Sequence, residues 1–166
     1  MPAADAQGVA AATPTAQAYV VFAFSEEELG IPVQRVGGIL PMRELAPVQG
    51  GRAYLRGMLK LRDQTIPVID LAARFGLGRT KYTQRTCIVV AQVQADEQPF
   101  LVGLLATDVP VLLNLGRDQI RPVSAGSKLE DCTLGVAEID GRAKILLDVD
   151  RAINISDLFH AKKFVN

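Results

Sequence analysis

The chain of 166 residues has no tryptophan, one histidine and two cysteines, and its charges cancel, 18 Lys and Arg against 18 Asp and Glu. Each scarcity excludes something. A net charge of zero offers no long-range field to hold duplex nucleic acid or an anionic membrane surface, so no nucleic-acid partner is expected. Aromatic residues at 5% leave little on which exposed bases would stack. The lone histidine, His160, reads as a solvated tail residue, so neither a Ser–His–Asp nor a Cys–His site has a base. Cys87 in an apolar strand run and Cys132 near a loop read as packing and an incidental thiol. They form neither a metal pair nor a disulfide framework, which points to a cytoplasmic setting. No apolar run approaches the ~20 residues of a membrane span, so direct membrane insertion is not expected. Residues 1–17 hold no Lys or Arg, the composition of a flexible arm rather than a signal peptide. Gly76-Leu77-Gly78 follows a helical run instead of opening one, so no phosphate loop and no cofactor is expected.

What is present is organised around residues 54–75. Leu55, Gly57, Leu59 and Leu61 alternate with Arg56, Met58, Lys60 and Arg62, the period-two pattern of a strand. Asp63-Gln64 is the expected reversal, Ile66, Val68 and Ile69 rebuild an apolar strand, and Asp70 stands where a helix N-cap is wanted. The device recurs. Gly57 matches Gly135 and Asp70 matches Asp148 at one spacing of 78 residues, with Asp140-Gly141 as the second hairpin turn.

Upstream segments repeat too. Gly30 matches Gly103, Val36 matches Val109 and Ile39 matches Leu112, each 73 residues apart, the difference being absorbed by a longer loop around 121–131. Each copy thus has about five short strands, enough for a small closed barrel. The expectation is an all-β chain of two barrels, the first about 18–76 and the second about 85–150, with strand exchange at their ends. The connection at 76–84 reads as exposed, and 160–166 as a fraying tail.

Chemistry-bearing candidates are few. Asp70 and Asp148 occupy equivalent places, and capping explains both more simply than paired acid–base work. Arg56, Lys60 and Arg62 form a basic row, either a solvated face or a contact for an acidic or carbonyl-rich partner. Val36, Ile39, Val109 and Leu112 are repeat mates expected near a groove between the barrels. They suit core packing or an amphipathic helix laid lengthwise.

The segments Tyr54-Leu55-Arg56-Gly57, Leu61-Arg62 and Pro67-Val68-Ile69-Asp70-Leu71, followed by Gln119-Ile120-Arg121-Pro122 and Leu146-Leu147-Asp148-Val149-Asp150, resemble the CheW family of chemotaxis coupling proteins over about 19–159. The resemblance implies two five-stranded SH3-like barrels, no catalysis and no cofactor. It implies an adaptor between the cytoplasmic tip of chemoreceptors and the regulatory domain of a CheA-type histidine kinase, recruited to membrane arrays through the receptors. It places Val36, Ile39, Gly57, Arg62, Val109 and Leu112 at receptor or groove positions, and Leu40, Arg43 and Leu45 toward the kinase. The sequence departs from the family at Lys60 and Asp63, where Asn and a turn Gly are common, and at Gly38 and Thr107, where acidic residues are common. Those departures leave room for a coupling protein of a divergent system with a twitching or gliding output. Two weaker readings are a β-barrel nucleic-acid binder using the basic row and an enzyme using Asp70 or Cys132.

Overall fold

The computed structural model describes residues 16–24, 27–95, 98–108, 110–123 and 130–153. The N-terminal arm before residue 16 and the tail with His160 lie outside the described residues, as does Val109. The first copy runs β1 (Gln17–Phe24), β2 (Glu27–Pro32), β3 (Val36–Pro41), β4 (Leu55–Leu61) and β5 (Gln64–Ile69), closing on a one-turn helix, α1 (Leu71–Arg74). The second runs β6 (Cys87–Ala95), β7 (Gln98–Ala106), β8 (Val111–Leu115), the two-residue β9 (Ile120–Arg121), β10 (Thr133–Ile139) and β11 (Arg142–Leu147), closing on α2 (Val149–Ala152).

These strands form two SH3-like barrels, but the barrels are not the two halves of the chain. One sheet has the order β3-β6-β7-β5-β4 and the other β8-β1-β2-β11-β10-β9. The strand exchange expected at the ends is therefore a reciprocal trade of whole hairpins. The β1–β2 hairpin of the first copy completes the sheet of the second copy, and β6–β7 completes the sheet of the first. The junctions are the two parallel pairings, β2 with β11 at Gly30↔Leu146 and β7 with β5 at Gly103↔Val68. Both glycines sit in close quarters. A Cβ on Gly30 would sit 2.9 Å from Leu146 Cδ2, and one on Gly103 would sit 2.8 Å from Ile88 Cγ2 and 3.1 Å from Val68 Cγ2. The 73-residue spacing thus covers the traded hairpins and the edge strands β3 and β8 that follow them, and the 78-residue spacing covers the β4–β5 and β10–β11 hairpins.

The trade explains why the central strands are apolar on both faces. Along β1, Tyr19 and Val21 pack in one barrel while Phe22 and Phe24 face the other way. Along β6, Ile88 and Val90 line the other barrel while Val89, Ala91 and Val93 face outward from it. The outward sets meet in the largest cluster, together with Leu29, Leu104 and Leu147, and Phe24 meets Phe75 edge to face at 6.3 Å. A strand covered on both faces loses its polar alternation. The seam between the barrels is packed core.

Candidate functional site

Two features absorb the reactive-looking residues into structure. Asp70 is fully buried, yet its cap bond to the Ala73 N–H is long at 3.5 Å. Its main partners are elsewhere. The Thr80 N–H donates to Oδ2 at 2.8 Å, the Thr80 hydroxyl to Oδ1 at 2.7 Å, and Arg56 Nη1 to Oδ2 at 2.8 Å. Arg56 also donates to the Thr80 carbonyl at 3.0 Å and lies 4.6 Å over the Tyr82 ring. The basic row is therefore split. Arg56 turns inward and clamps the inter-copy connection, which is not wholly exposed as expected, while Lys60 and Arg62 remain in solvent. An edge strand allows such a turn because its long cationic side chain reaches past the strand end to a carboxylate that burial would otherwise penalise.

Asp148 caps α2 by accepting from Asp150 N–H at 3.2 Å and Arg151 N–H at 3.4 Å. Cys87 and Cys132 are both buried, and burial raises both thiols above their usual range, the state of inert rather than nucleophilic sulfur. Among the described residues there is no group of three His, Cys, Asp or Glu side chains that would hold a metal ion.

The remaining site candidates lie at one place in each barrel, between an edge strand and a hairpin tip. In the first, β3 is an outer edge, and its neighbour is the β4–β5 turn. That turn sits at Arg62-Asp63, one residue earlier than expected, with Arg62 at φ 57°. Between them opens a hollow of about 270 Å³ floored by Leu40, Leu61, Val90 and Leu101, with Gly37, Gly38 and Arg62 on its rim. The floor residues belong to or pack against the barrel's own core, so this is the unclosed mouth of the barrel. The second barrel has the same mouth, between the edge strand β8 and the β10–β11 turn. Its volume is about 590 Å³, and Val21, Leu113, Ile139, Val111, Asp140 and Glu28 are among its walls. Leu113 stands for Leu40, Ile139 for Leu61 and Asp140 for Arg62, so the two hollows are repeat mates.

The sequence-predicted residues divide accordingly. Ile39 (47% exposed) and Leu112 (64%) project from the outer faces of the two edge strands, in equivalent positions. Val36 is half-buried and packs against the seam cluster. Gly57 is a bulge residue at φ 155°. A Cβ there would approach the Ala46 carbonyl and Leu45 Cβ at 2.8 Å each, so its role is to let the 42–46 loop cross the strand. Leu40 and Leu45 pack on the barrel core from this side, and Arg43 is exposed. Leu40 and Arg62, assigned by the resemblance to different partners, share one hollow. Sequence reasoning missed Val111 and Asp140; applying the two spacings to Gly38 and Arg62 finds both.

Residues 18–156 match the family model described as CheW-like domain. The chain is similar to the chemotaxis protein CheW of Thermotoga maritima, 27% identical over 132 residues, covering 80% of this chain and 84% of that one. It is similar to the probable chemotaxis protein CheW of Rhizobium etli, 30% identical over 133 residues, covering 79% and 83%. Among solved structures it superposes on the crystal structure of the scaffolding protein TtCheW from Thermoanaerobacter tengcongensis. The TM-score is 0.77 with 21% identity, covering 92% of this chain and 96% of that one.

Proposed function

This chain belongs to the CheW-like family of chemotaxis coupling adaptors, and from that membership we propose that it joins two partners through separate non-catalytic surfaces. One is the cytoplasmic tip of chemoreceptors and the other the regulatory domain of a CheA-type histidine kinase. The observation that carries this reading is the pair of unpartnered edge strands, β3 and β8, which present Ile39 and Leu112 to solvent at equivalent places. A free strand edge with a large exposed apolar side chain is a liability in a protein that works alone and a docking feature in one that does not. Arg62, with no ion pair among the described residues, adds a directional contact beside β3. The reactive-looking residues are consumed elsewhere, Asp70 and Arg56 in a clamp and the cysteines in packing. No helix among the described residues is long and apolar enough to cross a membrane, and recruitment to receptor arrays through the receptors is part of the same proposal.

The test is a titration of the full chain against a kinase regulatory domain and, separately, a helical-hairpin receptor tip from the same cell. Arg62→Ala should weaken receptor binding by about 1–3 kcal/mol with an unchanged melting midpoint. Absence of binding to both partners would end the adaptor reading for this chain.

A further inference from the structure

The two closing helices are built alike at the 78-residue spacing, one hydrogen bond after another. The Asp70 N–H donates to the Tyr54 carbonyl at 2.8 Å, and the Asp148 N–H to the Cys132 carbonyl at 2.9 Å. The Arg74 N–H reaches the Asp70 carbonyl as the Ala152 N–H reaches that of Asp148, and the Phe75 N–H reaches Leu71 as the Ile153 N–H reaches Val149. Phe75 and Ile153 are both buried. Beyond Phe75 the first copy leaves its helix through Gly76 at φ 75°. By Thr80 the chain has come back within reach of β4, where the Thr80 carbonyl accepts from Arg56 and the buried hydroxyl donates to Asp70.

The second copy carries a sequence suited to the same path. Asn154 stands for Gly76, and asparagine follows glycine as the residue that accepts a positive φ after a helix. Two members of the clamp are replaced together, Arg56 by Leu134 and Thr80 by Leu158. Leu134 is 50% exposed, and the Asp148 side chain is 27% exposed where that of Asp70 is fully buried. A leucine on β10 cannot hold a backbone carbonyl as Arg56 does, but it can hold another leucine. The chain continues for thirteen residues past Ile153, and the first copy needs only five to go from Phe75 to Thr80.

From this paired replacement we infer that the C-terminal segment folds back over β10 as a strap. Asn154 turns the chain out of α2 and Leu158 seats on Leu134, an apolar counterpart of the Arg56–Thr80 clamp. The strap shelters one half-exposed leucine rather than a buried charge, so it opens without unfolding the barrel beneath it.

Amide hydrogen exchange on the full chain tests this. Amides of residues 155–159 should exchange at least about tenfold more slowly than those of an unstructured chain. Leu134→Ser should return them to the unstructured rate, and Leu112→Ser, which removes an exposed leucine from the distant edge strand β8, should leave them protected. Leu134→Ser and Leu158→Ser should each lower the melting midpoint by about 2–4 °C. The double variant should melt no lower than the worse single one, because either change removes the same contact. Unprotected amides in the wild type, protection that survives Leu134→Ser or is lost in Leu112→Ser, or midpoint shifts that add in the double variant would each overturn the inference, whatever the outcome of the partner titrations.

Discussion

The first copy and the second copy of the unit share a backbone and differ in what their side chains have been asked to do. Both keep the glycine bulge, with Gly57 at φ 155° and Gly135 at φ 157°, each at a register shift in its hairpin. Both keep the cross-strand lying over it, a bridge between Ala46 and Met58 in one and β9 against Val136 in the other. Yet where the first copy has Arg56 reaching Asp70, the second has Leu134, half exposed, and Asp148 is left to cap a helix. Charge reverses at three further places, Lys60 with Glu138, Arg62 with Asp140, and Arg35 with Asp108. Duplication fixed the frame; the differences lie where the frame touches a connection, a neighbour or solvent.

The largest test breaks the two aspartates in parallel. Asp70→Ala strips a buried guanidinium of its counter-charge and should cost about 3–5 kcal/mol of unfolding free energy. Asp148→Ala removes a cap and should cost about 1 kcal/mol. Urea denaturation of both variants reads the contrast, and equal losses would mean that the clamp is not the special feature of the first copy.

Next come the traded hairpins. Gly103→Ala drives a methyl group between the branched side chains of Ile88 and Val68, and should cost about 2–3 kcal/mol. Gly30→Ala meets the far end of Leu146, which can rotate away, and should cost about half as much by the same thermal or urea measurement.

A smaller effect separates two ion pairs, Arg35–Asp150 and Arg85–Asp108, by pH. Arg35 holds Asp150 through two bonds of 2.8 and 2.6 Å, and the Gln94 N–H adds a third at 2.8 Å. The bond from Arg35, and then that from Gln94, hold the Asp150 carboxyl below its ordinary range. A carboxylate with a depressed folded pKa contributes stability that is fully present above the unfolded value, about 4, and is lost as pH falls through the folded value. The stability gap between wild type and Asp150→Asn should therefore be open at neutral pH and close in acid. The Arg85–Asp108 pair is far more exposed, with side chains 68% and 45% accessible, and Asp108→Asn should open a smaller gap.

The smallest expected change is in stability alone. Ile39→Ser and Leu112→Ser remove exposed side chains and should move the melting midpoint by less than about 0.5 kcal/mol equivalent, while receptor binding falls. Val36→Asp should instead unfold the protein, because that side chain packs against the seam.

Much of this frame was legible in the residues. Glycines and aspartates at fixed spacings are local demands of a bulge and a cap, and local demands survive in sequence. The Arg56 row was misread because alternation along a strand states which face a side chain starts from, and a long arginine at the strand end can turn back to a buried acid. Strand exchange at the barrel ends was expected, but that whole hairpins trade places was not legible, for another reason. β2 satisfies the same pattern whether it pairs within its own copy or with β11, and only the double-sided apolarity of β1 and β6 hints that each strand serves two cores. The turn at Arg62-Asp63 was displaced by one residue because the backbone there requires a positive φ that arginine accepts without a sequence signal.

The exchanged hairpins also set an order of events during synthesis. Residues 36–106 contain every strand of one sheet and complete it as soon as β7 leaves the ribosome. The hairpin made first, β1–β2, must wait until the last strand β11 arrives some hundred residues later. Until then the face carrying Tyr19 and Val21, which packs on Leu115, Ala137 and Leu146, lacks its cover, so a stalled or truncated chain would expose a sticky N-terminal ribbon beside an otherwise finished barrel.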